Sequence, residues 1–153
     1  MKVKILLVCF FCFAITGCQK MNSVETYDYV LAMGVEDIGN NYLYHYSVAD
    51  TSKITDNGGI KVPSKTVTIH AKDFQKGKKI WEQRTGRPLN FSQLKLIVLK
   101  PMDKKVVKAL SHEREISKSV DMVTTKKEMK KLFGVEKKLP ISFGEYMQQV
   151  LAR

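Results

Sequence analysis

The apolar positions of this chain fall into one long block at the start and then into short runs whose spacing changes from element to element. Ile5 to Ile15 is uninterrupted apolar sequence, preceded by Lys2 and Lys4 and followed by the small residues Thr16 and Gly17. The block is well short of the about 20 apolar residues that a membrane-spanning helix needs. A basic start, a short apolar stretch and small residues before a cut predict an export signal over residues 1–17. Residues 18–28 are polar apart from Cys18, Met21, Val24 and Tyr27, and read as a tether. The remaining 125 residues, 29–153, read as one domain.

Within that domain Tyr29 to Val35 is nearly all apolar, and Asn41 to Ala49 places Tyr42, Tyr44 and Tyr46 at every second position. Both patterns predict strands. Gly39, Asn40 and Asn41 between them supply residues that tolerate positive φ, so the two strands should form an antiparallel hairpin. Thr51 to Ser64 is rich in turn formers and predicts a loop, and Lys65 to Ala71 alternates as a third strand. Asp73 is placed to cap a helix running to about Arg84, with Phe74 and Trp81 on one face and Gly86 as its stop. Leu94 to Leu99, ended by Pro101, reads as a buried central strand. Asp103 opens a helix with Val106, Val107 and Leu110 inward, and Val120 to Val123 predicts a further strand. Thr125 with Glu128, and Ser142 with Glu145, match the reciprocal hydroxyl and carboxylate pattern of a helix start. Leu132, Phe133, Met147, Val150 and Leu151 are then the expected buried residues of two final helices. The predicted fold class is α+β: a mixed, mainly antiparallel sheet with helices packed on one face, in a single domain.

Charge narrows the field of partners. Lys and Arg number 26 against 15 Asp and Glu, a net charge of +11, and loss of Lys2 and Lys4 with the leader brings it to +9. In a cytoplasmic protein such an excess points to nucleic acid. An exported domain meets anionic lipid headgroups and wall polymers first, so no nucleic-acid partner is expected. Cys9 and Cys12 belong to the leader, leaving Cys18 alone in the mature chain and no intrachain disulfide.

Candidate catalytic chemistry is sparse. His45, His70 and His112 lie on separate elements, none with a second ligand at zinc-type spacing. His45 and His70 are expected on strand faces, half exposed. His112-Glu113-Arg114-Glu115 begins like a zinc-peptidase helix, but Ile116 stands where the second histidine is required. Ser92, Ser111 and Ser142 lack the small-residue elbow of a hydrolase nucleophile. Gly34 and Gly58-Gly59 are not followed by a phosphate-binding pattern. The expectation is no enzyme, with no catalytic residue, no metal and no cofactor. Tyr42, Tyr44 and Tyr46 are expected to pack, and to form one wall of a cleft. Lys76, Lys78 and Lys79, and Lys126, Lys127, Lys130 and Lys131, read as solvated helix faces able to meet anionic headgroups.

Cys18 is the site with an expected chemical role. Ile15-Thr16-Gly17-Cys18 resembles the lipobox of bacterial lipoproteins, which implies an S-diacylglycerol on the thiol and an acyl group on the amine freed by cleavage, with palmitate among the chains. Two or more acyl chains anchor stably where one does not. The order of features after it resembles the N-terminal part of the Ger(x)C family, the lipoprotein C subunits of spore germinant receptors. Carrying the likeness are Val30-Leu31-Ala32-Met33-Gly34-Val35-Glu36-Asp37, the segment from Thr85 to Leu99, the His112 to Glu115 turn and a terminal helix led by Pro140. Gln93 stands where members commonly have histidine. The likeness spans nearly all of the mature chain but only the first portion of typical members, which are longer. It implies a membrane-anchored, non-catalytic accessory subunit of a nutrient germinant receptor, with integral-membrane A and B subunits as partners, on the outer face of the inner spore membrane. The alternative is a cell-envelope lipoprotein binding an anionic polymer or small solute.

Overall fold

Strand β1 (Asp28–Asp37) is the centre of the domain. The computed structural model describes residues 26–50, 64–101, 104–139 and 141–151. The leader, Cys18, the tether before residue 26, the expected loop before Ser64, Asp103 and Pro140 lie outside the described residues. β1 pairs antiparallel with β2 (Tyr42–Ala49), as the tyrosine alternation and the turn residues predict. In the turn Gly39 takes φ +90°, a conformation L side chains rarely adopt, and its N–H donates to Asp37 Oδ1 at 2.8 Å.

β3 (Ser64–Ala71) adds antiparallel to β2, while β5 (Leu96–Leu99) and then β6 (Asp121–Thr124) add parallel on the other side of β1. The resulting order is β3-β2-β1-β5-β6, with the short β4 (Leu89–Asn90) parallel to the start of β1. Parallel neighbours require a crossover, and α2 (Lys104–Ser111) supplies it between β5 and β6. α1 (Phe74–Thr85) follows β3, and the chain ends in α3 (Met129–Gly134), a 3₁₀ turn (Val135–Lys138) and α4 (Phe143–Leu151). This is the expected single α+β domain with a mixed, mainly antiparallel sheet.

The helices lie on both faces of that sheet, beyond the one face expected. α1 and α2 bury Phe74, Trp81 and Leu110 against Val30, Met33, Val35, Tyr44, Tyr46, Ile69, Ile97 and Leu99. Met129 and Phe133 of α3 and Phe143 of α4 cover Ala32, Leu96 and Val98. The reason is legible in β5, whose four residues are all apolar and all buried: a strand with apolar side chains on both sides needs cover on both. β1 reaches the same condition through a bulge. Val30 faces Val48 but Ala32 faces Ser47, so Leu31 is an extra residue that shifts the alternation. Val30, Met33 and Val35 thereby share one face.

On the first face the tyrosines pack under α1, as expected. Tyr44 and Tyr46 stack with ring centroids 6.1 Å apart, and Tyr46 meets Trp81 edge-on at 6.2 Å. Gly77 lies over this ladder, where a Cβ would sit 3.2 Å from the Tyr46 hydroxyl, which explains a glycine inside α1. That hydroxyl is buried without a hydrogen-bond partner among the described residues. Burial raises the pKa of both Tyr44 and Tyr46, keeping them protonated. The start of β1 is pinned to α1 by a buried bond from Trp81 Nε1 to Asp28 Oδ2 at 2.8 Å. The caps of α1 are those predicted: Asp73 Oδ1 accepts from Lys76 N at 2.7 Å, and Gly86 closes the helix at φ +71°.

The final segment departs from expectation at two places. The Thr125 helix start does not form. Thr125 Oγ1 accepts instead from Lys127 N at 3.1 Å, and Glu128 precedes the helix without a side-chain cap, because these residues make the turn that carries the chain from β6 onto the second face. Ser142 and Glu145 do form their reciprocal pair, with both backbone bonds at 3.3 Å. Val150, expected to be buried, is 48% exposed. α4 meets the second face through Phe143, Gly144 and Met147, and Gln148 Nε2 donates to Asp121 Oδ2 of β6 at 3.2 Å, while Val150 lies on its outer side.

Gly34 is where α3 sits on β1. A Cβ there would lie 2.7 Å from Phe133 Cε2 and 3.2 Å from Met129 Sδ, and both side chains are buried. Gly34→Ala is therefore expected to lower stability by about 1–3 kcal/mol through overpacking, read as a shift of the urea midpoint. Gly134→Ala, with no heavy atom within 4 Å of the added carbon, should leave the midpoint unchanged or slightly raised.

Candidate functional site

The second face of β2 and β3 is polar. Leu43, His45 and Ser47 alternate with the tyrosines, and Thr66, Thr68 and His70 alternate with Val67, Ile69 and Ala71. Pairing His45 with Thr68 and Ser47 with Thr66 sets two polar rows side by side. α3 and the 3₁₀ turn cover this face in part, leaving a groove of about 790 Å³. Glu36, His45, Thr66, Thr68, Phe133 and Glu136 line it, with the exposed Lys65 and Lys130 also on its walls.

Two hydrogen-bonded chains make the groove floor. His45 Nε2 lies 2.8 Å from Glu36 Oε1, and its Nδ1 lies 2.9 Å from Thr68 Oγ1. A carboxylate only accepts, so Nε2 carries the proton and the bare Nδ1 accepts from the Thr68 hydroxyl. The ring also stacks on Phe133 at 6.1 Å between centroids. Its pKa is lowered by burial, which outweighs the opposing hydrogen bond and charge of Glu36. Deeper in, Glu136 is 3% exposed and accepts from the Ser47 hydroxyl at 2.5 Å and the Thr66 hydroxyl at 3.3 Å. Such a network joins the 3₁₀ turn to the sheet through bonds that strengthen one another away from water.

His45, expected to be half exposed, is instead buried at 6% exposure, because α3 folds over it. His70 is exposed on the same face, and His112 is exposed beyond α2. The three histidines are not brought together. Among the described residues no group of three His, Cys, Asp or Glu side chains is disposed to hold a metal ion. The His112 to Glu115 turn has a packing role: Glu113 accepts from Gln75 Nε2 at 2.9 Å, Glu115 pairs with Lys78, and Ile116 is buried. Tyr42 and Tyr44 do form a wall of a cleft, about 310 Å³ in volume, closed by Lys72, Phe74, Val106 and Leu110. Cys18 lies outside the described residues.

Of the groove residues, the polar alternation of β2 and β3 was open to reading from the sequence. Glu136 was not, since it reaches Ser47 across 89 positions of chain.

The neutral state of His45 has a consequence for stability. A histidine whose folded pKa lies below the ordinary 6.5 binds fewer protons folded than unfolded, so its contribution is intact above that pH and is lost as pH falls through the window beneath it. The melting temperature of the wild-type chain should therefore fall more steeply between about pH 7 and 5 than that of His45→Gln, which keeps a polar side chain but does not titrate. Equal slopes would remove His45 as the source.

Comparison with known proteins gives a family match of wide coverage. Residues 20–153 match the family described as spore germination protein N-terminal domain. No curated protein and no solved structure matches the chain. The match spans the groove, both helix layers and every described strand. The chain therefore belongs to the spore germination proteins that carry this N-terminal domain, and its role lies in spore germination.

Proposed function

We propose that this chain is a lipid-anchored, non-catalytic accessory subunit of a spore nutrient germinant receptor, tethered by acyl chains on Cys18. The observation that carries the reading is the adjacency of two signals. The family match begins at residue 20, two positions beyond the cysteine that ends a basic, apolar, small-residue leader. Among the described residues no helix is long and apolar enough to cross a membrane. Acylation of Cys18 supplies the attachment without one. Confinement to the membrane plane raises the effective concentration of the domain around integral-membrane A and B subunits, so that a weak interface stays occupied. The groove and the tyrosine cleft then act as shaped surface rather than as a catalytic centre.

Cys18→Ala tests the tether. The variant should move from the membrane pellet to the soluble fraction, or persist with its leader uncleaved, and in either case lose metabolic labelling with palmitate. Labelling that survives the substitution would refute the assignment.

A further inference from the structure

The layer formed by α3, the 3₁₀ turn and α4 has an inner side that is fully committed. Met129, Phe133 and Phe143 are buried against Ala32, Leu96 and Val98. Its outer side has an unusual composition. Four large apolar side chains are exposed among the described residues, and three of them are here: Val135 at 45%, Tyr146 at 39% and Val150 at 48%. The same stretch exposes Lys126, Lys127, Lys130, Lys131 and Lys138. Opposing them are two exposed carboxylates, Glu128 and Glu145. Glu128 is engaged with Lys131 at 3.2 Å and Glu145 with Ser142 at 2.9 Å. A groove of about 460 Å³ runs between Lys126, Lys127, Lys131, Leu132 and Val135.

We propose that this outer face docks on the anionic phospholipid headgroups of the bilayer that holds the chain. Lysines in one layer with the exposed Val135, Tyr146 and Val150 match a phosphate set against hydrocarbon, which is the chemistry of a lipid surface. A polyphosphate wall polymer satisfies the lysines but offers nothing to Val135, Tyr146 and Val150. The opposite face of the sheet is different in kind: α1 carries Lys76 and Lys79 without a large exposed apolar residue beside them. The docking deepens the membrane attachment proposed above and rests on it only for keeping the chain at a bilayer. With α3 and α4 toward the lipid, α1, α2 and the tyrosine cleft point away from it.

The test is lysine footprinting of the full chain recovered from membranes and reconstituted in two kinds of vesicle, pure phosphatidylcholine and phosphatidylcholine with phosphatidylglycerol. Amine acylation is followed residue by residue by mass spectrometry. On the anionic vesicles Lys126, Lys127, Lys130, Lys131 and Lys138 should react several-fold more slowly than on the neutral ones, and high salt should restore the rate. Lys76 and Lys79 should react equally on both. Replacing Lys126, Lys127, Lys130 and Lys131 with Gln should abolish the protection of Lys138 while leaving the melting temperature unchanged, since all four are exposed. Equal rates on the two vesicles, or equal protection of Lys76 and Lys79, would overturn the docking. The mass of the N-terminal peptide in the same digest reports the lipid on Cys18 separately, because an uncleaved leader would also hold the chain at the bilayer.

Discussion

A strand buried on both faces governs this structure. Val30, Ala32, Met33 and Val35 of β1 are all fully buried, and they divide between two separate cores. A strand in that position cannot be covered by one layer of helices, so the chain must return after β6 and lay α3 and α4 across the second face. Two local features of β1 make the return possible. The bulge at Leu31 turns its side chains to suit both cores, and Gly34 leaves room for the Phe133 ring. Gly144 does the same from the helix side, lying so close to Leu31 that a Cβ would be 2.7 Å from its carbonyl oxygen. Close backbone approach at both ends of the layer is what sets its position.

The second cover stops short of β3, and the chemistry of the sheet changes where it stops. Under α3 and α4 the sheet presents Ala32, Leu96 and Val98; at the margin of the cover, beneath Phe133 and the 3₁₀ turn, it presents the buried His45 and Ser47, and beyond it the exposed Thr66 and Thr68. Burying polar side chains without partners is costly, and the two buried ones are both hydrogen-bonded, His45 to Glu36 and Thr68 and Ser47 to Glu136. Glu136 is thus a positioning group for the 3₁₀ turn, while His45 links the three strands β1, β2 and β3 through Glu36 and Thr68. The groove is a consequence of this boundary between dry and wet halves of one sheet face.

Membership of the spore germination family assigns the domain its biological setting, and the architecture divides its surfaces in a way that suits attachment. One side carries lysines among exposed apolar residues on α3, the 3₁₀ turn and α4. The other carries α1, α2 and the aromatic cleft over a core stapled by the Glu113 and Glu115 contacts to α1. A domain with two unlike sides is oriented by any surface that prefers one of them. In the attachment proposed above, acyl chains on Cys18 bring that surface near.

Much of this was written in local pattern. The hairpin, the caps of α1, the buried strand ending at Leu99, the Ser142 helix start and the packing of the tyrosines all depend on residues within a turn or two of one another, and each took the expected form. The expected lipid site at Cys18 likewise rests on contiguous sequence alone, independent of the fold. What sequence could not supply was anything that joins distant residues through the sheet. The burial of His45, its bonds to Glu36 and Thr68, the reach of Glu136 to Ser47 and the exposure of Val150 follow from where α3 and α4 land on β1. That landing is decided by space beside Gly34 and Gly144, which only the assembled backbone creates.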